Sequence, residues 1–360
     1  MSSMPNLPAC PPRRSLTPRP SAVLALAAVG LGFGCDRGGA AFTPLDGPPP
    51  DASVDAPVDA PVDAPEVVGS DYSFVVSRLR LPGSVNEATL LGLDIDDLPG
   101  DTMNGIDNSL GTVLATFTGQ GLGWQPAIDS GIDRGVVLSL PRLRATDLGD
   151  ADGVGLWLHR GQSSAPAACD GPADTTCRKH LTGTASFELA FGSSLDEPLV
   201  GTLRRGRFVG GPGRIRLFLT LSAGRAPVEL PLYRTRAEVI VTSSGFAVGS
   251  KVGGAVRQVD LEESLHPAVR DQVFDVVAVD CGPPPRTPPA CGCLSGSLGA
   301  TLMNLMDTSS PRDCAVSLSE VTAFLNPIIN QDIDLDGDGS KDAVSLGVGL
   351  EAVSASFAAP

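Results

Sequence analysis

Positive charge, histidine, aromatic side chains and long apolar runs are all scarce in this chain, and each scarcity removes a class of function. Of 360 residues, 26 are Lys or Arg against 41 Asp or Glu, a formal net charge of −15. A phosphate backbone needs a compensating basic surface, so no nucleic-acid partner is expected. His159, His180 and His266 are the whole imidazole supply. None lies in a zinc-protease helix, and the chain has no Gly-x-Ser-x-Gly elbow and no phosphate-binding glycine loop. Aromatic residues make up 4% of the chain. Trp124 and Trp157 could stack on a sugar, but burial in the core is the plainer reading for both. No stretch is long and apolar enough for a membrane helix.

What is present begins with a targeting pattern. Arg13, Arg14 and Arg19 precede the apolar stretch Ala22 to Phe33, which runs directly into Gly34-Cys35. The stretch is too short to span a bilayer, and small residues before a cysteine suit a bacterial lipoprotein signal. Residues 1–35 are therefore expected to be the signal segment, with Cys35 lipidated and the mature chain held to a membrane on its extracytoplasmic side. Residues 36–69 follow, rich in Pro, Asp and Ala, and contain "VDAPVDAPVDAP" from Val54 to Pro65. Such a composition buries too little apolar surface to fold. A proline at every fourth place favours extended backbone, so the segment reads as a disordered tether reaching on the order of 100 Å when stretched.

From Ser70 the composition changes to that of a folded domain or two subdomains, expected over residues 70–360. With Cys10 and Cys35 set aside, six cysteines remain, an even set that suits an oxidising compartment. Cys169 and Cys177 are placed to close a short loop. Cys281, Cys291, Cys293 and Cys314 allow three pairings, of which Cys291 with Cys293 is the least favourable because one intervening residue strains the geometry. Zinc at the Cys-Gly-Cys run is the alternative, and export argues against it.

Alternation of apolar and polar residues marks strands at residues 73–80, 136–143, 154–159, 186–191, 214–221, 237–241 and 344–348. Helical spacing appears at Leu110, Val113, Leu114 and Phe117, and again at Leu298, Leu302, Leu305 and Met306. Ser317 to Glu320 is a capping-box pattern opening a third helix that stops before Asn326-Pro327. A fourth, carrying Leu261, Leu265, Val269 and Val273, has Pro267 inside it and should kink or split. Strands outnumber helices, which predicts a mainly β fold, a β-sandwich or jelly-roll-like sheet with short helical excursions. Arg204, Arg205, Arg207, Arg214 and Arg216 cluster around Gly210 to Gly213, read as a hairpin turn. A solvated sheet face is the plain reading of these arginines, and an anionic ligand the sharper one.

The run "NQDIDLDGDGSKDAVSLGVG", residues 330–349, crowds aspartates at near-alternate positions. Carboxylates so close repel one another unless each is solvated or a cation neutralises them. With Asp334 at position 1, the loop places Asp336 and Asp338 at positions 3 and 5, Gly339 at the sharp sixth position and Asp342 at position 9. Oxygen ligands suit a hard cation, and calcium is the expected cofactor. "GLDIDDLPGDTMNGIDNSLG", residues 92–111, echoes the pattern with Asp94, Asp96, Asp101 and Asp107. Its inserted "LPGDTMNG" breaks the spacing, so this is the weaker metal candidate. "DLGDAD", Asp147 to Asp152, reads as a turn between strands.

The "DxDxDGxxD" of the later loop resembles the calcium loops of integrin-type propeller repeats and thrombospondin type 3 repeats. The resemblance implies side-chain ligation by Asp334, Asp336, Asp338 and Asp342 with a backbone carbonyl from Ser340. It departs from an EF-hand, because Ser345 stands where the bidentate glutamate would be and a strand rather than a helix follows. "KVGGAV" with the acidic helix after it, together with "DGDGSKDAVSLGVGLEAV", also resembles a group of uncharacterised predicted lipoproteins of myxobacteria and related bacteria over most of residues 70–360. That resemblance implies export and the metal loop, and carries no activity.

These readings converge on a lipid-anchored calcium-binding protein of the bacterial cell envelope, more plausibly a binding or structural protein than an enzyme, with a protein or polysaccharide ligand. The alternative is an extracytoplasmic carbohydrate-active hydrolase with structural calcium, its acids meeting from distant parts of the chain.

Overall fold

The computed structural model describes residues 66–98, 105–171, 173–193, 197–222 and 224–357. The expected signal segment, Cys35, Asp101 and nearly all of the tether lie outside the described residues. Strand β1 (Ser70–Arg80) is the first strand among the described residues. Its alternation sends Phe74, Val76 and Leu79 into the main core, with a bulge between Val76 and Arg78 restoring the register.

Helices α1 (Val85–Leu91), α2 (Ser109–Gly119) and α3 (Gln125–Asp133) follow before β2 (Ser139–Ala145) and β3 (Ala151–Ala165). Next come β4 (Ser186–Leu189), β5 (Leu199–Arg204), β6 (Arg207–Leu219), β7 (Val228–Thr242), the two-residue β8 (Gly245–Phe246) and β9 (Lys251–Arg257). A helical stretch from α4 (Gln258–Asp260) to α5 (His266–Cys281) leads to α6 (Leu298–Met306), α7 (Leu318–Leu325) and the last strand, β10 (Ala343–Ser354).

The protein is mainly β, as expected, and the strands form one antiparallel sheet of ten. β1 pairs with β2, β2 with β3, β3 with β5, β5 with β6 and β6 with β7. β7 then pairs with β9, β9 with β10, and β10 returns to β1. These pairings close a ring, the connectivity of a barrel, which leaves none of its eight strands as an open edge. The two facing sheets of a sandwich or jelly roll do not emerge from this connectivity. An eight-stranded ring has an interior just wide enough for side chains to fill it. The interior voids found here hold about 10 and 20 Å³, against side chains such as Leu79, Phe218, Val252 and Leu350 in one and Leu156, Leu199 and Ile215 in the other. Among the described residues, Leu156, Leu199, Leu217 and Val252 belong to one buried core cluster.

One local expectation changes. Gly210 to Gly213 is not a hairpin turn but an irregular stretch inside β6, still facing Ala237 and Thr235 of β7. The turn lies at Arg205 and Gly206, both left-handed at φ 49° and 73°, which joins β5 to β6. Gly211 has φ 110°, and a Cβ there would stand 2.3 Å from the Thr235 carbonyl oxygen. A bulge and a tight turn both demand glycine, so composition alone does not distinguish them. Pro267, expected to kink or split its helix, coincides with such a split: a π-helical turn at Leu261–Leu265 is followed by α5, which opens at His266 with Pro267 in its first turn. The expected helices at Leu110, Leu298 and Ser317 form as α2, α6 and α7, the last with its capping box complete.

Three disulfides are present. Cys169–Cys177 closes its short loop, while Cys281–Cys293 and Cys291–Cys314 tie α5 to the segments around α6. Both cysteines of the Cys-Gly-Cys run are thereby oxidised, which removes the thiolates a zinc site would need.

Candidate metal centre

Each aspartate loop leaves and re-enters the fold through an isolated antiparallel bridge, Leu93 with Asp107 in the first and Ile333 with Ala343 in the second. Leu93, Ile95, Ile333 and Ala343 meet in one small buried cluster, with Leu335 packed against it. Alternation explains this arrangement: in "LDID" and "IDLD" the apolar residues turn inward and the carboxylates outward.

The two loops repeat one hydrogen-bond pattern. The Leu335 amide donates to Asp342 at 2.8 Å, and the Ile95 amide donates to Asp107 at 2.7 Å. Asp334 accepts from the Gly337 amide at 2.7 Å, as Asp94 does from the Asp97 amide at 2.8 Å. Asp336 accepts from the Asp338 amide at 3.1 Å, as Asp96 does from the Leu98 amide at 3.0 Å. Gly337 and Asp97, at matching positions, are both left-handed, with φ 80° and 62°. The insertion that makes the first loop irregular in sequence therefore falls between the shared turn at Asp94 to Asp97 and the shared carboxylate at Asp107. In the second loop Gly339 is also left-handed, at φ 90°, which meets the turn expected at position 6.

One carboxylate oxygen from each of Asp334, Asp336 and Asp338 lies within 4.8 Å of the others, and the same holds for Asp94, Asp96 and Asp107. Three hard oxygen donors at this spacing fit a calcium-class cation. Asp342, expected as a ligand, is not part of the second trio and accepts from the Leu335 amide, while the Ser340 amide donates to Asp338 at 2.7 Å. Donation from the Gly339 amide foremost, with Gly337, Asp338 and the Arg234 charge adding to it, holds the Asp334 carboxyl below the usual carboxylate range. That group is ionised at neutral pH and carries the charge a cation requires.

β7 sends one arginine to each loop. Arg236 pairs with Asp97, and the Arg234 guanidinium donates to the Leu335 carbonyl at 3.1 Å. Deeper in, Ser345 occupies the place of the EF-hand glutamate as a structural link. Its amide and hydroxyl donate to Asp332 at 2.8 and 2.5 Å, and its hydroxyl accepts from the Ser109 amide at 2.8 Å. The Asn108 side chain donates to Ala88 and Gly347 and accepts from Gly111 and Gly347. These residues bind the two loop exits to each other. Sequence reasoning named Ser345 only as a departure from an EF-hand and gave Asn108 and Asp332 no role, although "SLG" is shared after both loops.

The other sequence candidates are spent on structure. Arg204 pairs with Asp152, Arg207 with Glu238 and Arg216 with Glu229, while Arg214 stacks on Tyr233. This is the solvated sheet face of the plain reading. Trp124 and Trp157 are 1% and 7% exposed, and Arg142 covers the Trp157 ring at 4.1 Å, so neither offers a free face to a sugar. His159, His180 and His266 are fully buried. Asp147 to Asp152 joins β2 to β3, as expected.

Comparison of the chain with protein-family models, curated proteins and solved structures returned no match.

Proposed function

We propose that this chain is a lipid-anchored extracytoplasmic calcium-binding protein. In this reading its two aspartate loops each hold one ion and stiffen one end of a β-rich scaffold for binding or structural work at a bacterial surface. The observation that carries it is the repetition of one loop geometry. Asp94 and Asp96 match Asp334 and Asp336, and each pair gathers a third carboxylate oxygen, from Asp107 in the first loop and, in the second, from Asp338, whose counterpart is Leu98. Asp342 and the Ser340 carbonyl complete the second set.

Export is supported by the Arg-rich start and apolar stretch before Cys35, and by the three disulfides, which an oxidising compartment preserves. The tether then sets the folded part away from the membrane. A ligand that binds only the folded state raises stability by about 2.7 kcal/mol at a hundredfold excess over its dissociation constant. Thermal unfolding in EDTA, in magnesium and in calcium tests the reading. Calcium is expected to raise the midpoint by several degrees over EDTA, and an unchanged midpoint in all three contradicts it.

A further inference from the structure

The whole outer stripe of the long helical segment, from Glu263 through Pro267, Asp271 and Asp275 to Val279, lines a surface groove. These residues recur at every fourth place, so they stack along one helix face over about 24 Å. The opposite wall is the β6–β7 connection, where Leu221, Ser222 and Arg225 border both halves of the groove. One half holds about 330 Å³ and the other about 820 Å³. Apolar surface comes from Pro126, Leu221, Pro227, Val276, Val279 and Leu298. Val279 is 83% exposed.

Charge is distributed unevenly around this apolar floor. Glu229, Glu263, Asp271, Asp275 and Asp280 line the groove, against Arg225 as the one cationic side chain among the described lining residues. Arg225 is taken by Asp275, Ser222 is bonded to the same carboxylate, Asp271 is paired with Arg270 and Glu229 with Arg216. Asp280 accepts from the Gly299 amide, and neither it nor Glu263 forms an ion pair among the described residues. From this we propose that the groove docks an extended basic polypeptide segment, with apolar side chains on the floor and Lys or Arg side chains meeting Glu263 in one half and Asp280 in the other. The groove's length accommodates about eight extended residues. The net charge of −15 steers a cationic partner toward the molecule. The chain's own "VDAPVDAPVDAP" tether carries the wrong sign to be the occupant.

Fluorescence anisotropy with a labelled peptide of alternating lysine and valine, about eight residues long, tests this on the full chain. The glutamate–valine counterpart is the control peptide. Saturable binding of the basic peptide is expected. Glu263→Lys with Asp280→Lys should weaken it at least about tenfold, while Glu188→Lys with Glu197→Lys, the same charge change outside the groove, should weaken it less than about twofold. Both pairs alter exposed or half-buried side chains, and unchanged circular dichroism confirms folding. Equal loss in both double variants, absence of saturable binding, or binding of the acidic peptide overturns the proposal. So does a dimer in sedimentation equilibrium that Val279→Asp dissolves, since a second copy would then be the occupant.

Discussion

The Asp107 carboxylate accepts a 2.7 Å hydrogen bond from the Ile95 amide, closing the first loop across twelve residues of chain. Asp107 is 1% exposed, so this bond is made where water cannot replace it. Asp107→Ala is expected to destabilise the protein by about 1–3 kcal/mol in EDTA, where metal plays no part, and Asp107→Asn by less because its amide oxygen still accepts. Urea unfolding of the three proteins in EDTA measures both values. A cost for Ala no larger than for Asn would remove the structural role assigned to this carboxylate.

The bulge of β6 gives a second prediction. Gly211→Ala places a Cβ against the Thr235 carbonyl at a left-handed position, and should cost about 1–3 kcal/mol or more. Gly224→Ala is the control, because it too is left-handed, at φ 78°, but its Cβ would meet nothing within 4 Å. Thermal denaturation of the two variants separates the contact from the backbone preference.

Acid sensitivity follows from two buried imidazoles. Burial pushes His180 and His266 below the ordinary histidine range. The folded chain therefore favours their neutral forms. Stability is fully present above about pH 6.5, and falls as pH drops further because the unfolded chain takes up protons that the folded chain resists. Asp332 acts in the opposite sense: its burial raises its carboxyl, so acidification relieves the cost of its ionisation. His266→Gln removes one contributor, and its loss of stability between about pH 7.5 and 5.5 should be smaller than that of the unmodified protein. Equal losses would show that His266 does not titrate against folding.

Much of this was legible locally. β1 and β4 form where their residues alternate, β10 forms where expected but with both faces buried, and α2, α6 and α7 follow helical spacing and caps, because those signals are set by neighbours in sequence. The closure of the ring was not legible. It depends on β1 meeting β10 near the other end of the chain, and register between distant strands leaves no local mark. The second aspartate loop declared itself through regular spacing. The first loop was partly hidden by an insertion, and the contributions of Arg234 and Arg236 could be seen only once β7 was placed beside both loops.

Equilibrium dialysis against calcium tests the central claim most directly. The twin-loop account predicts about two ions per chain, falling to about one in Asp334→Asn with Asp336→Asn and to about one in Asp94→Asn with Asp96→Asn. Undiminished binding in both double variants, or no bound calcium at millimolar concentration in the unmodified protein, would contradict it.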